Sequence, residues 1–316
     1  MRVLVAGGAG FIGSHVCEWL VEGGHEVTCL DNLITGRIEN LATLSENDRL
    51  SIVIGDAESA PDLDVDLVMH LASPASPIAY GRQPIETMSA NSEGTHRLLE
   101  VARQSNARFF YASTSEVYGD PAVHPQTEDY WGNVNPIGPR ACYDEAKRFG
   151  EALTLSYQRQ GLVNAGIVRI FNTYGPRMDA CDGRVIPEFI GAALRGERLP
   201  VNGNGSQTRS FCYVSDLVEG IMTVALDRHA DGDVFNVGNP EEVTMVQLGE
   251  AVLETTGART GLYFRPAPPD DPMRRRPDIG RLHTRYGWQP RVGLRDGLAR
   301  TVAYFRSQIE MTEAAS

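Results

Sequence analysis

A chain of 316 residues, 42% hydrophobic and 22% charged, holds enough apolar material for one large domain, or for a large and a small one sharing a cleft. Its formal net charge of -12 argues against nucleic acid or an anionic membrane as the main partner, since either needs a basic face to displace counterions. The five cysteines (Cys17, Cys29, Cys142, Cys181, Cys212) are odd in number and show neither CxxC nor Cys/His spacing, so neither a disulfide framework nor a metal site is expected.

Met1-Arg2 leads straight into the strand-like run Val3 to Ala6, with no apolar signal region and no apolar span of bilayer length; a reducing cytoplasm is the expected compartment. A glycine turn and a helix from near Ile12 come next. Further strands are expected at Glu26 to Leu30, Ile52 to Ile54, Leu67 to Leu71, Arg108 to Ala112 and Ala165 to Ile170, and further helices from near Pro84, Tyr143 and Arg184. Short apolar runs alternating with helix-length amphipathic stretches predict an α/β fold, a Rossmann-type doubly wound parallel sheet covered on both faces.

After Gly175-Pro176 the texture changes to glycine-rich turns (Asn202-Gly-Asn-Gly) and a proline- and charge-rich run, Pro266 to Pro277, read as parts of a smaller C-terminal substrate-binding domain. Thr244 with Gln247 has the form of a capping box opening a helix, Asp296 to Ser307 can form a last one, and fraying is expected from Glu310.

The opening RVLVAGGAGFIG reads strand, turn, helix. Gly7 and Gly10 permit a tight turn and close approach of backbone to a pyrophosphate, Gly13 lets the helix pack on the strand, and the helix N-terminus turns its free amides to the phosphates. A second strand ends in Asp31, about 20 residues on, as the dinucleotide fingerprint requires. Asp31 would accept hydrogen bonds from the adenosine ribose and repel a 2'-phosphate, which favours NAD over NADP. The same contact zone is expected to take in Phe11, Ile12, Asn32, Thr35, Gly36, Asp56, Ala57, Leu71, Ala72, Ser73, Ala112 and Thr173.

Tyr143 and Lys147 stand one helical turn apart on one face. A nearby ammonium lowers a phenol pKa, so Tyr143 could take a proton from an alcohol while hydride leaves for NAD. Thr114 would supply a hydroxyl to hold the reacting oxygen.

The stretches GGAGFIGSH, DNLITGR, HLASPASP, STSEVYGDPAVHPQTEDYWGNVNPIGPRACYDEAKR, RIFNTYGPRM, DGRV, GNGSQTRSFCYVSDLV, NVGNPEE and DDPMRRRPDI resemble those of the UDP-glucuronic acid decarboxylases, also called UDP-xylose synthases, of the extended short-chain dehydrogenase/reductase type. The resemblance runs from about residue 2 to residue 309. It implies a tightly bound NAD that oxidises the sugar 4-hydroxyl, with Tyr143 as base. The resulting 4-keto sugar loses its 6-carboxylate as carbon dioxide, and the hydride returns to carbon 4 to give UDP-xylose. It also assigns Ser115, Glu116 and Arg275 to the decarboxylating end, where Glu116 could move protons or position a water and Arg275 could face the carboxylate. Asn172, Arg177, Arg184 and Arg209 are candidates for the UDP moiety, Arg209 above all because a guanidinium fork fits paired phosphate oxygens.

On this basis residues 1-176, with a return segment 208-238, form the NAD-binding domain, 177-207 and 239-312 the substrate domain, and 313-316 a tail. The resemblance further implies a homodimer through the helix carrying Tyr143 and the helix Pro84 to Gln104, with Phe149, Leu153 and Tyr157 at helical spacing. Two departures stand out. Ser89-Ala90-Asn91 replaces a usual Lys-Thr-Asn, which removes a basic contact to the substrate, and Asp179-Ala-Cys replaces a histidine-containing loop. A UDP-sugar 4-epimerase and a nucleotide-sugar 4,6-dehydratase are the alternatives on the same scaffold; the dehydratase would carry Asp-Glu at Ser115-Glu116. A non-catalytic NAD-binding regulator is the alternative of another class, and it would have lost Tyr143 or Lys147.

Overall fold

The computed structural model describes residues 1-229, 232-266 and 274-315. The stretch 267-273, within the run Pro266 to Pro277, lies outside the described residues. Strands β1 (Arg2–Ala6), β2 (Glu26–Asp31), β3 (Leu50–Ile54), β4 (Leu67–His70), β5 (Arg108–Thr114) and β6 (Asn164–Ile170) alternate with helices α1 (Phe11–Glu22), α2 (Pro77–Arg82), α3 (Pro84–Asn91), α4 (Glu93–Gln104) and α5 (Ala141–Arg159). Beyond them lie β7 (Thr173–Tyr174), α6 (Val185–Leu194), β8 (Leu199–Asn202), β9 (Thr208–Ser210), β10 (Cys212–Tyr213), α7 (Val214–Leu226), β11 (Val234–Val237), β12 (Glu242–Thr244), α8 (Met245–Thr256), β13 (Leu262–Arg265), β14 (Arg274–Arg275), α9 (Gly280–Tyr286) and α10 (Leu294–Ala315).

The main sheet has the order β11-β6-β5-β4-β1-β2-β3, and every pairing in it is parallel. Such a sheet buries both faces, which is why its inner strands carry continuous apolar runs, such as Val3 to Ala6 and Phe109 to Ala112, rather than strict alternation with polar residues. In β1, Val3 and Val5 face one core with Val16, Cys17 and Leu20 of α1 and Leu217 and Ile221 of α7. Leu4 and Ala6 face the other, with Leu98 and Leu99 of α4. β3, at the edge, is the strand left half open, with Ile52 and Ile54 exposed.

The expected strands and helix starts are all present, and three bounds change. The helix expected over Pro84 to Gln104 is broken at Ser92. Thr87, Ser92 and Thr95 each donate their hydroxyl to the carbonyl four residues back, and Asn91 donates to the Thr87 carbonyl, competition of the kind that bends helices. The last helix starts two residues before Asp296 and runs on to Ala315, through alanine, glutamate and methionine that favour helix, so the fraying expected from Glu310 does not occur there. The tail expected at 313-316 is likewise helix as far as Ala315. The capping box at Thr244 is formed: the Gln247 amide donates to Oγ1 at 3.1 Å, and the Thr244 amide to Gln247 Oε1 at 2.9 Å.

After β6 the chain leaves the main sheet, builds the short pair β7–β10, and returns as β11 against β6; β8 is paired later, by β13. A third small sheet, β12-β9-β14, sets Arg275 beside Arg209 in parallel register. A polar brace ties it to the main sheet. Arg169 on β6 donates twice to Glu151 of α5 (2.9 and 2.8 Å) and to the Tyr118 hydroxyl (2.9 Å), which itself donates to Asn236 of β11 (2.7 Å). Asn236 donates to the carbonyls of Gln126 and Asp278. Fully buried Gln126 in turn accepts the Arg276 amide on Oε1 (2.8 Å) and donates its own amide to the Arg276 carbonyl (2.9 Å). Arg275 is thus held by a segment some 150 residues away in the chain.

The turn at Gly7 to Gly13 has no room for side chains: a Cβ on Gly13 would run into the Gly7 carbonyl. Gly13→Ala is expected to lose about 1–3 kcal/mol of stability to overpacking and to weaken NAD binding. Thermal unfolding with and without NAD checks this; a variant with the parent's melting temperature and the parent's shift on adding NAD contradicts it.

Candidate active site

A cavity of about 1100 Å³ runs along the C-terminal ends of the strands, from the glycine turn to Arg275. A smaller one of about 440 Å³ adjoins it at the ends of β2 and β3, sharing Gly7, Gly10 and Ser73 as walls. Every residue expected at the cofactor lines one of the two.

The glycine end has the shape a dinucleotide needs. Gly7 sits at φ +82°, and a Cβ there would lie 2.6 Å from the Ala72 amide, so the backbone is bare toward the cavity. No side chain caps the N-terminus of α1 at Gly10, which leaves its first amides for an anion. Asp31 is buried, its Oδ2 accepting the Ala9 amide and its Oδ1 the Leu33 amide, both at 2.9 Å. Burial pushes its carboxyl up while these amides pull it down. Asp31 therefore both holds the turn and offers its remaining lone pairs at the cavity wall. Asn32 donates to Asp56 at 2.7 Å, tying β2 to the end of β3. Bare turn, uncapped helix and carboxylate together fit NAD.

At the centre of the large cavity Tyr143, in the first turn of α5, is buried and stacked on Tyr80, with ring centres 5.2 Å apart and planes 7° apart. The expected lowering of its phenol pKa is absent. Burial pushes it up, and the Thr114 hydrogen bond and the Arg184 charge only oppose this. Lys147 donates from Nζ to the Ala112 carbonyl at 2.8 Å and lies 6.0 Å from the Tyr143 ring centre, and burial, opposed by Glu151, brings it down to about 7.

At the far end Glu116 lies between two guanidinium groups. Arg275 donates from both Nη atoms, with Nη2 at 3.1 Å from Oε2, and Arg140 donates to the same oxygen. Burial alone would raise the Glu116 carboxyl, but the charges of Arg275 and Arg140 outweigh it and hold it at about 2. In this arrangement the two guanidinium groups favour Glu116 as an anion. Arg275 is not a solvated surface arginine; only 4% of it is exposed. Ser115 is buried beside it and lines the same cavity. One residue past Tyr143, Asp144 is pushed by burial and by the Glu116 charge up to about 7.

Asn172, Arg177, Arg184 and Arg209 all line the large cavity. Arg177, at φ +69°, turns its Nη2 to both oxygens of Glu18 on α1 (2.9 and 2.8 Å), so it braces the cofactor helix. Ser89 and Ala90 line the smaller cavity with Asp31 and Asp56. Asp179 pairs with Arg37 at 2.8 Å, fastening its loop across the cleft. Arg140, Asp144 and Tyr80 escaped the sequence reading. Arg140 stands three residues before Tyr143, one turn back along the same helix, and that spacing was the available signal.

Among the described residues no helix is long and apolar enough to cross a membrane, and no group of three or more His, Cys, Asp or Glu side chains is placed to hold a metal ion.

The model of the NAD dependent epimerase/dehydratase family matches residues 3–238. The chain is 49% identical to UDP-glucuronic acid decarboxylase 6 of Arabidopsis thaliana, over 98% of this chain and 90% of the relative. It is 47% identical to UDP-glucuronic acid decarboxylase 1 of Danio rerio, over 98% of this chain and 73% of the relative. Among solved structures it is similar to a UDP-glucose 4-epimerase of Thermotoga maritima with UDP-glucose (TM-score 0.88, 31% identity, 98% and 100% of the two chains). It is also similar to a UDP-glucuronic acid 4-epimerase of Bacillus cereus in complex with UDP-glucuronic acid and NAD (TM-score 0.87, 27% identity, 98% and 100%).

Glu116 titrates at about 2 in the fold and near the ordinary glutamate value, about 4.3, in the unfolded chain. A depressed carboxyl stabilises fully above the unfolded value and loses that contribution as pH falls through the folded one. Glu116→Gln leaves Arg140 and Arg275 facing each other and is expected to cost about 3 kcal/mol at pH 6. The gap to the parent should close between about pH 4 and pH 2. Denaturant unfolding across that range checks it; a gap that stays constant with pH shows that the charge of Glu116 does not matter.

Proposed function

Because the chain belongs to the NAD dependent epimerase/dehydratase family, we propose that the two-arginine grip on Glu116, beside Tyr143, serves the NAD-dependent decarboxylation of UDP-glucuronate to UDP-xylose. That grip is the observation that carries the reading: two cationic donors gather at one end of the cavity, and a sugar carboxylate would find charge-assisted partners there. The decarboxylase relatives, similar over nearly the whole chain, support it.

The bare turn Gly7 to Gly13 and the N-terminus of α1 hold the cofactor diphosphate, and Asp31 its adenosine ribose. NAD held there would supply a reversible hydride acceptor for carbon 4 of the sugar, with no net consumption. Tyr143 takes the proton of the 4-hydroxyl and gives it back, with the Thr114 hydroxyl fixing its oxygen. Lys147, at about 7, changes charge in the neutral range and offsets the negative charge on the phenolate. Once carbon 4 is a ketone, the bond between carbons 5 and 6 breaks, its electron pair moves toward the ketone oxygen, carbon dioxide leaves, and a proton enters at carbon 5. Arg275 lies where it can face the departing carboxylate and the enolate, and Ser115 is beside it. Asn172, Arg184 and Arg209 contact the UDP moiety.

The division into an NAD-binding part (1-176 and 208-238) and a substrate part (177-207 and 239-312) belongs to this reading. So do a cytoplasmic location and a homodimer through α3, α4 and α5, for which Phe149 is exposed, whereas Leu153 and Tyr157 pack against the protein's own core.

Carbon dioxide release from UDP-glucuronate by the NAD-loaded protein tests the proposal. Tyr143→Phe should keep NAD and lose about 10²–10⁴-fold in turnover. Arg275→Ala should keep NAD and still transfer hydride, while releasing carbon dioxide far more slowly. A parent that interconverts neutral UDP-hexoses without losing carbon would replace this reading by that of an epimerase.

A further inference from the structure

We infer that Arg140 selects the charge of the sugar: with Arg275 it brackets Glu116 so that two cations face one anion, and the uncompensated positive charge at this end of the cavity admits a uronate and disfavours a neutral hexose. The inference rests on the uronate reading above and goes beyond it by naming a second cation.

Arg140 is the residue from which α5 starts, three before Tyr143. Its guanidinium and that of Arg275 both donate to Glu116, and all three residues line the same cavity. The Arg275 side chain is 5% exposed, that of Glu116 16% and that of Arg140 24%, so Arg140 is the more open of the two cations. Arg275 spends both Nη atoms on Glu116, whereas Arg140 contacts it through Nη2 alone. Geometry therefore leaves Arg140 the donor with more fork to spare for an incoming carboxylate. Asp144 packs nearby without lining the cavity, and with its carboxyl at about 7 it offsets the bracket only in part at neutral pH.

The bracket also accounts for a fixed Glu116. Two guanidinium groups drawn together around a buried point repel each other unless an anion stands between them, and Glu116 is that anion. A bracket of one arginine and one glutamate would be neutral and indifferent to the charge of the sugar.

Calorimetric titration of the NAD-loaded protein with UDP-glucuronate, UDP-glucose and UDP-xylose tests the inference. The parent should prefer UDP-glucuronate to UDP-glucose. Arg140→Gln should weaken UDP-glucuronate on the order of 10- to 100-fold and leave UDP-glucose and UDP-xylose within about twofold. Arg140→Lys keeps the charge without the fork; it should weaken UDP-glucuronate less than the glutamine variant and spare the neutral sugars. That variant carries the test should the glutamine variant fail to fold. Equal weakening of all three ligands in either variant, with the parent still preferring UDP-glucuronate, overturns the inference and leaves the uronate reading standing. A parent that binds UDP-glucose as tightly as UDP-glucuronate overturns both.

Discussion

Seven parallel strands must all end on one edge of their sheet, and everything chemical in this chain is built along that edge. The glycine turn follows β1, Asp31 closes β2, Asp56 follows β3, Ser73 follows β4, Thr114 closes β5 and Asn172 follows β6. Parallel neighbours cannot be joined by tight turns, so residues adjacent in the site are remote in the chain. The price of that arrangement is precision, which must come from cross-links such as the Arg169, Tyr118 and Asn236 chain of hydrogen bonds.

Within the cleft, burial pulls the ionisable groups in opposite ways, and partners decide the outcome. Glu116 has two guanidinium neighbours and stays ionised. Lys147 has a carbonyl and a more distant carboxylate, and burial brings it into the neutral range. Asp144 has the repulsion of Glu116 added to burial and rises there as well. The same burial thus leaves one carboxyl held low by two guanidinium groups and moves another carboxyl and an ammonium toward neutrality, a difference set by neighbours rather than by residue type.

What depends on local spacing was legible in the sequence. The alternation of apolar runs gave the sheet, the glycines at 7, 10 and 13 the cofactor turn, the four-residue interval from Tyr143 to Lys147 their common helix face, and Thr244 with Gln247 a helix start. What depends on meeting across the fold was not. Nothing near Arg140 announces Glu116, since the meeting is made by a helix start and a strand end brought together only in the fold. The commitment of Arg177 to Glu18, and the stacking of Tyr80 on Tyr143, are likewise products of packing. Even the phenol pKa, argued from a neighbouring ammonium, is governed by burial, a quantity that no interval in the sequence measures.

The return of β11 to the sheet bears on how the protein is made. β6 emerges from the ribosome with one long side of its backbone unpaired, and its partner follows only after the segment between them has been synthesised. An open strand edge in a nascent chain is an invitation to pair with the wrong neighbour. Gln126, which is fully buried in the finished molecule, waits longer still, for the segment around Arg276. Vectorial synthesis therefore brings out the glycine turn first and the strand that carries Arg275 late. A chain released early would carry the glycine turn and Glu116 without Arg275, the arginine that pairs with that carboxylate through both Nη atoms.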